Sequence, residues 1–446
     1  MASTYLTNGL TAGSGTIGTV SLWVKRSNLS TSTLYHFWED NTTCCRLRFD
    51  SSDVLHWETR DNGTVNGKFK TNRVFRDTSA YYHIVVRVDT TQSTEADRFK
   101  LYVNGSEETS FSTSTYPTQN RDVKMTAQPY IGVEWDNSSG TQFFDGNMTH
   151  VHYTDGQSYA ASTFGETDST SGIWKPKTAP SVTYGSKGFF LKFENSGSMG
   201  TDSSGNGNNF TTIGGTLKQS SDTPSNVFST INKVMQPTGE SNATISNGGL
   251  TNTSSSSDYT ILCSMAAKKG KWYWEVKMGN AANNRSVGVV RMDKLFEDSS
   301  LGGFYPGGNN NSTNYTSAYN GANGFIETNT AGTRVQVTSG VTTTTTDDIV
   351  GMYLDLDGYT LKFYKNGSLQ NEAALNATWV EDFVGPCARA DHNQIMHFNF
   401  GSGFFGTTAV SSANADANGF GAFEYSPTLS GVNYYAWCTK NIKEFG

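Results

Sequence analysis

Paired acidic residues are the first candidates for chemistry in this 446-residue chain. A glycosidase needs an acid and a nucleophile or base about 5–10 Å apart, and residues i and i+2 of a strand share one face. Glu134-Trp135-Asp136 begins an E-x-D-x-x-E pattern that would supply such a pair, but Ser139 occupies the position of the second Glu. Asp355 and Asp357 precede a glycine in what looks like a turn. We therefore predict that the protein is not an enzyme, and glycan depolymerase is the least favoured function.

Metal-ligand patterns are incomplete. His150 and His152 share one face of a predicted strand, but zinc takes three or four ligands. The segment 202–207 matches the start of a calcium loop, D-x-x-x-[DN]-G, yet Ile213 replaces the bidentate Glu expected at the twelfth position. We predict neither a firm metal site nor a resident cofactor.

Three aromatic–acidic pairs could bind a sugar, because a sugar ring stacks its apolar face on an aromatic ring while carboxylates accept from its hydroxyls. Each pair lies near a predicted strand end, and the candidate ligand-binding residues are Trp38 with Asp40, Trp57 with Asp61, and Trp135 with Asp136. The alternative is that each Trp belongs to a sandwich core, which is the commoner environment for so large a side chain.

A long segment of low charge, Gly302–Gly324, consists mainly of Tyr, Asn, Ser and Gly. Tyr supplies rigid amphipathic contact area and the small polar residues supply adaptable hydrogen bonds, as in antibody loops. We predict a recognition loop led by Tyr305, Tyr315 and Tyr319. The alternatives are a loop packed against a neighbouring subunit and a disordered loop.

The composition limits the class of protein. The net charge is −7 and no Lys/Arg run exceeds two residues, which excludes a typical nucleic-acid binder. No apolar run exceeds five residues, so we expect no membrane insertion. The start of the chain lacks the pattern of a signal peptide. Five cysteines without a C-x-x-C motif indicate buried free thiols made in a reducing cytoplasm.

Period-two alternation and turn residues dominate the chain and predict an all-β protein. Two segments are similar: Phe99–Gly105 (FKLYVNG) and Leu361–Gly367 (LKFYKNG), each ending in the Asn-Gly pair that favours a type I′ hairpin turn. This repetition predicts two related antiparallel jelly-roll sandwiches, with convergence on favourable hairpin chemistry as the alternative. We place the first domain at 1–164, an irregular linker at 165–187 and the second domain at 188–446, which includes a lead-in over about 188–235 and a C-terminal strand.

Several motifs carry a resemblance to known families. Thr19–Arg26 (TVSLWVKR), Tyr82–Val88 (YHIVVRV) and Phe144-Asp145-Gly146 resemble the concanavalin A-like, laminin-G-type jelly roll. Gly270–Val276 (GKWYWEV) and Phe398–Gly401 (FNFG) resemble a SPRY domain. The tail Tyr434–Ile442 and the order of the whole chain are similar to uncharacterised bacteriophage proteins, notably of marine viruses.

The resemblance implies a virion protein, made in the host cytoplasm, that occurs as a homo-oligomer or in many copies beside other virion proteins. The expected role is tail- or fibre-associated recognition of a host-surface glycan. The alternative is a head decoration or tail attachment protein that binds other virion subunits. Some laminin-G-type domains hold calcium at the rim of the sandwich, and here the candidate ligands for such an ion are Asp40, Asp61 and Asp136.

Overall fold

The computed structural model describes residues 3–11, 13–235, 243–255, 259–281, 284–295 and 315–446. The chain divides into two compact units, Met1–Gln219 and Ser220–Gly446. Each unit is built from antiparallel sheets packed as a sandwich, so the predicted all-β fold class is confirmed. Among the described residues, no helix combines the length and the apolar character needed to cross a membrane.

The first unit contains an eight-stranded sheet in the order β10-β6-β5-β4-β3-β11-β1-β18 and a six-stranded sheet in the order β17-β14-β2-β7-β8-β9. Short 3-10 helices lie at Glu95–Asp97 and Ala161–Thr163. The strands are β1 (Tyr5–Thr7), β2 (Ile17–Arg26), β3 (Ser32–Asp40), β4 (Thr43–Phe49), β5 (Val54–Asp61), β6 (Thr64–Val74), β7 (Tyr82–Asp89), β8 (Phe99–Val103), β9 (Ser106–Glu108), β10 (Phe111–Thr115), β11 (Gln128–Ile131), β12 (Glu134–Asp136), β13 (Ser139–Thr141), β14 (Gly146–Asp155), β15 (Gly165–Thr167), β16 (Trp174–Pro176), β17 (Phe189–Leu191) and β18 (Thr211–Ile213).

Alternation along β3 to β6 determines which side chains enter the first core. Tyr35, Leu47, Trp57 and Phe69 stand opposite one another in the register of these four strands, and all four are buried between the two sheets. Their neighbours in sequence point to the other face of the eight-stranded sheet, because successive strand side chains alternate. We call this other face the outer face.

The end of the first unit differs from the predicted boundary. The predicted linker 165–187 contains the β15–β16 hairpin, and Trp174 of this hairpin donates to His83 Nδ1 at 3.0 Å. β17 pairs with β14 and β18 pairs with β1, so residues 188–219 belong to the first unit and not to a lead-in of the second. The Pro- and Ser-rich composition that indicated a linker belongs to loops lying on a sheet.

The second unit contains an eight-stranded sheet and a six-stranded sheet in the order β21-β30-β23-β24-β25-β26. Seven strands of the larger sheet follow the order β19-β20-β31-β22-β27-β28-β29, and the eighth, β36, pairs in parallel with β22. It also has 3-10 helices at Met292–Leu295 and Ala377–Glu381, and the helix α1 (Thr439–Phe445). The strands are β19 (Ala243–Ser246), β20 (Thr251–Ser254), β21 (Tyr259–Leu262), β22 (Lys271–Met278), β23 (Arg285–Arg291), β24 (Tyr315–Asn320), β25 (Phe325–Thr330), β26 (Thr333–Val337), β27 (Ile349–Asp355), β28 (Thr360–Lys365), β29 (Ser368–Ala374), β30 (Val384–Ala390), β31 (Ile395–Asn399), β32 (Phe404–Phe405), β33 (Thr408–Ala409), β34 (Thr428–Leu429), β35 (Val432–Asn433) and β36 (Tyr435–Ala436).

Strand β22 is buried on both faces. Trp272, Trp274 and Val276 enter the core between the two sheets. Tyr273 points to the opposite face and packs with Phe423 in a second apolar cluster, supplied largely by the chain after β31. This explains why aromatic residues occur at consecutive positions of one strand: the C-terminal segment covers the face that would otherwise meet water.

The two Asn-Gly hairpins are confirmed as equivalent turns. Asn104 and Gly105 have φ of 49° and 84°, and Asn366 and Gly367 have φ of 48° and 78°. The side chain of Asn104 accepts from the amide of His83 at 2.8 Å, and that of Asn366 accepts from Ile349 at 2.8 Å. Positive φ at both central residues defines the type I′ turn and explains the choice of Asn followed by Gly.

Candidate functional site

The outer face of the first unit carries an aromatic patch, which we define as Tyr5, Trp38, Tyr130, Trp135 and Phe143. Tyr130 and Trp135 stack with ring centroids 5.2 Å apart, and Trp38 meets Tyr130 edge-on at 6.3 Å. Both tryptophans are half-buried, so part of each ring remains accessible. The structure thus brings together two of the three tryptophans proposed from the sequence.

The β12–β13 hairpin positions Trp135. Its backbone amide donates to His36 Nδ1 at 3.1 Å, which fixes the hairpin to β3. Because Nδ1 accepts this bond, the ring proton of neutral His36 resides on Nε2. Burial and the nearby Arg46 and Arg48 lower the pKa of His36 to about 3, so it stays neutral and keeps this tautomer at ordinary pH.

A charged network lies beside the patch on the same face. Glu58 on β5 is fully buried, and it pairs with Arg46 Nη2 at 3.0 Å, Arg60 Nε at 2.6 Å and Lys68 Nζ at 3.4 Å. Burial opposes ionisation of Glu58, but the His56 ring, whose Nε2 lies 3.5 Å from the carboxylate, and the charges of Arg46 and Arg60 outweigh it and lower its pKa. The carboxyl is therefore ionised at neutral pH.

The network contains two carboxylates, but they are not arranged for hydrolysis. Arg46 contacts Glu58 with one terminal nitrogen and Glu134 with the other, and Glu134 also pairs with Arg48 at 3.1 Å. A glycosidase needs one carboxyl that holds a proton for the leaving group. The pKa of Glu58 is lowered and its side chain is 1 % exposed, so it neither donates a proton nor reaches a substrate. Glu58 therefore does not act as the general acid of a glycosidase.

The other residues of the three aromatic–acidic pairs have structural roles. Trp57 is a core residue packed against Phe99 at 4.6 Å, because its position in β5 faces inward. Its proposed partner Asp61 pairs with Arg121 at 2.7 Å and Lys124 at 3.2 Å. The prediction that Trp57 and Asp61 form one sugar-binding pair is therefore wrong.

The proposed calcium ligands do not form a site. Hydrogen bonds from Thr42 occupy the carboxylate of Asp40 and lower its pKa. Asp136 accepts from the amide of Ser139 at 3.3 Å within the β12–β13 turn. In the described part of the chain, no group of three or more His, Cys, Asp or Glu side chains is arranged to hold a metal.

The predicted recognition loop differs from the structure more than the other candidate sites do. Tyr305 lies outside the described residues. Tyr315 and Tyr319 belong to β24 and are buried: Tyr315 packs on Trp379, with the guanidinium of Arg291 3.9 Å from its ring, and Tyr319 donates its hydroxyl to the carbonyl of Thr342. As inward-facing residues of a strand, these two do not act as exposed recognition side chains.

The remaining candidate motifs are satisfied internally. Asp202 accepts from the amides of Phe190, Ser204 and Asn208 at 2.8–2.9 Å, so its carboxylate serves as a turn anchor and not as the start of a calcium loop. His152 is buried and stacks on Phe190 with centroids 3.8 Å apart. These residues hold the end of the first unit in place.

A Ser–His contact in the first unit also lacks the chemistry of a nucleophile and base. Ser21 Oγ lies 2.9 Å from His83 Nε2, but Trp174 donates to Nδ1. Nε2 of the neutral ring therefore carries the proton and cannot accept one from Ser21. Both residues are fully buried, and burial lowers the pKa of His83 to about 3.

The charged network was not predicted from the sequence, although a signal was present. β4 reads Arg46-x-Arg48, and β5 reads His56-x-Glu58-x-Arg60. These charges alternate with core residues and therefore share one face. A strand face that is only exposed to water needs no cationic and anionic side chains gathered on neighbouring strands.

Comparisons with known proteins agree with the two sandwiches. Residues 3–162 match a laminin-G-type model described as the concanavalin A-like lectin/glucanases superfamily, and residues 271–403 match the SPRY domain model. A search of curated proteins found no match.

Among solved structures, the SPRY domain of human HERC1 aligns at 16 % identity over 38 % of this chain and 96 % of its own, with a TM-score of 0.30. The heptameric SAP-like pentraxin from Limulus polyphemus aligns at 16 % identity over 36 % of this chain and 72 % of its own, with a TM-score of 0.28. The TRIM65 PSpry domain aligns at 14 % identity over 38 % of this chain and 91 % of its own, also with a TM-score of 0.28. Scores this low support no inference about function.

Proposed function

We propose that this protein is a non-enzymatic bacteriophage virion component that recognises a host-surface glycan through the outer face of its first unit. The observation that carries the glycan assignment is the aromatic patch with the charged network beside it. The rings offer stacking surfaces and the neighbouring polar groups offer hydrogen bonds, which is the usual composition of a small-ligand site. The viral origin rests on the sequence resemblance of the chain order and of the C-terminal tail.

Binding and not cleavage is the activity that this face supports. The two carboxylates share one guanidinium, and the pKa of the buried Glu58 is lowered, so Glu58 does not supply the proton that glycoside cleavage requires. Weak sites of this kind become effective when many copies act together on one particle, since each bound site raises the effective concentration of the next.

The test is a glycan-array and host-cell binding screen of the purified full chain, with and without calcium. We expect specific binding that Trp135→Ala weakens about tenfold or more, because a stacked aromatic at the centre of a site contributes strongly to affinity. Trp38→Ala should weaken it less, since Trp38 lies at the edge of the stack. Phe383→Ala, which removes a 49 % exposed aromatic from the second unit, is the matched control.

Absence of binding by folded protein to every glycan and to host cells would refute this function. A reducing-sugar assay on a bound polysaccharide separates recognition from depolymerase activity, and product release would contradict the non-enzymatic assignment. Immunogold labelling of particles tests the virion location and distinguishes fibre tip from head.

A second candidate function is head decoration or tail attachment through protein contacts of the second unit. It is favoured by apolar side chains exposed on the edge strands of its two sheets: Val335 on β26 is 58 % exposed and Leu369 on β29 is 54 % exposed. Exposed apolar residues on sheet edges are suited to pairing with another chain. Charged substitutions at Val335 and Leu369 would then release the protein from particles without changing glycan binding.

A further inference from the structure

The network of ion pairs on the outer face of the first unit contains more cations than anions. We define the basic strip as Arg46, Arg48, Arg60, Lys68 and Lys70 on β4, β5 and β6. Its carboxylate partners are Glu58, Glu134 and Asp50, so five cations meet three anions on a chain whose net charge is −7. The ion pairs of β4, β5 and β6 therefore carry a net positive charge on an acidic protein.

The cations of the basic strip lie closer to the solvent than the carboxylate of Glu58. Glu58 is shared by Arg46, Arg60 and Lys68, and its side chain is 1 % exposed, whereas the side chains of Arg60 and Lys68 are 34 % and 32 % exposed. Glu134 also pairs with Arg46 and Arg48, so four cations share two carboxylates, and the carboxylate that serves Arg60 and Lys68 lies beneath them. A molecule approaching this face meets the ammonium and guanidinium groups first.

The basic strip and the aromatic patch are continuous. In the register of the sheet, Trp38 stands opposite Cys44, and Cys44 stands opposite Arg60. Two strand spacings of about 4.8 Å place Arg60 roughly 10 Å from Trp38. Along the next row, Tyr130, His36, Arg46, Glu58 and Lys68 follow one another across five strands. A ligand that stacks on the patch and extends across the strands lies over the basic strip.

We propose that the ligand of this face is an acidic saccharide whose carboxylate or sulfate groups lie over Arg60 and Lys68. This inference rests on the proposed function, because it assumes that a saccharide stacks on the aromatic patch. Guanidinium and ammonium groups bind carboxylates and sulfates through charge-assisted hydrogen bonds. The buried Glu58 holds the cations in place and limits the strength of binding.

The experiment measures the affinity of the full chain for matched pairs of probes. Oligogalacturonate is compared with its carboxyl-reduced form, and dextran sulfate is compared with dextran, so that the two pairs distinguish carboxylate from sulfate. We expect the acidic member of at least one pair to bind about tenfold or more tightly. This preference should shrink between about 0.05 M and about 0.5 M NaCl, since salt screens exposed charges.

Two variants with opposite expected effects on the affinity for the acidic probe separate ligand binding from a structural role. Arg60→Gln combined with Lys68→Gln should remove the preference for the acidic probe and leave the neutral probe unaffected. Glu58→Gln should raise affinity for the acidic probe, because it uncovers the same cations. Lys100→Gln, at an exposed pair with Glu107 on β8–β9, is the matched control and should change neither. Circular dichroism verifies that each variant is folded.

The outcomes are distinct. If neutral saccharides bind in a Trp135-dependent way and acidic probes bind no more tightly, the acidic ligand is refuted and the proposed function stands. If polyglutamate binds as tightly as the acidic saccharides, the basic strip is a general polyanion surface and the inference is overturned. If none of these four probes binds while array glycans or host cells do, the inference is overturned and the proposed function stands; if nothing binds in either experiment, both fail.

Discussion

Each unit buries one glutamate next to a tryptophan on a central strand, and the two sites differ in what surrounds the carboxylate. In β5, Trp57 enters the core and Glu58 turns outward among Arg46, Arg60 and Lys68. In β22, Trp274 enters the core and Glu275 turns outward to uncharged donors: the hydroxyl of Tyr273, the amide of Asn399, and the backbone amides of Glu424 and Tyr425.

The difference in surroundings reverses the direction of the pKa shift. Burial raises the pKa of Glu275 to about 7, and its four hydrogen bonds oppose this without cancelling it. At Glu58 the cations outweigh burial and lower the pKa. We conclude that Glu275 is an internal clamp for the C-terminal segment, whereas Glu58 organises a charged surface. A buried glutamate alone therefore does not indicate a ligand site. The charge and the solvent accessibility of the residues that contact it are the better indicators.

The largest effect is expected from Glu275→Ala. This change leaves the amides of Glu424 and Tyr425 without an acceptor, and it opens a cavity beneath the C-terminal segment. We expect a loss of about 4 kcal/mol in the free energy of unfolding of the second unit. Hydrogen exchange should show lost protection over residues 420–425. The control Glu372→Ala removes an exposed glutamate paired with Lys362, and equal effects from both changes would refute the clamp.

The two glutamates should also give the units opposite responses to pH. Glu275 has a folded pKa of about 7 against an ordinary 4.5, so its protonation stabilises the folded second unit most below pH 4.5. About 3 kcal/mol of the free energy of unfolding is lost as the pH rises from 4.5 to 7. Glu58 has a lowered folded pKa, so its contribution is present above pH 4.5 and is lost as pH falls further. Exchange protection of each unit, measured at several pH values on the full chain, checks both signs. Glu275→Gln should abolish the first response; a second unit that becomes more stable from pH 4.5 to 7 would contradict it.

The smallest effects concern the feature that the two units share. Asn104→Ala and Asn366→Ala should each cost about 1–2 kcal/mol, because alanine in a left-handed conformation is strained and the side-chain acceptor is lost. Asn→Gly at the same positions should cost less, since glycine accepts positive φ. Thermal denaturation of the four variants provides the measurement. Equal losses for alanine and glycine would show that the turn conformation is not the determinant.

Much of the architecture could be predicted from the sequence because it depends on local patterns. Alternation identified strands such as β2, β7, β8 and β22, and Asn-Gly located both hairpins. The prediction of buried free thiols is confirmed for all five cysteines. Alternation does not say which face of a strand is covered, however. For this reason Trp57, Tyr315 and Tyr319 were proposed as ligand-binding residues although they face the cores.

The all-β class, the two-sandwich organisation and the turn chemistry follow from side-chain period and backbone preference within a few residues, and they can therefore be predicted from local sequence patterns. Three features became visible in the folded chain alone: Trp38 and Trp135, 97 positions apart, share one patch, Arg46 joins Glu58 to Glu134, and residues 188–219 complete the first unit. These outcomes depend on which distant strands become neighbours in a sheet. That choice depends on the pairing and packing of the whole unit, which no local pattern encodes.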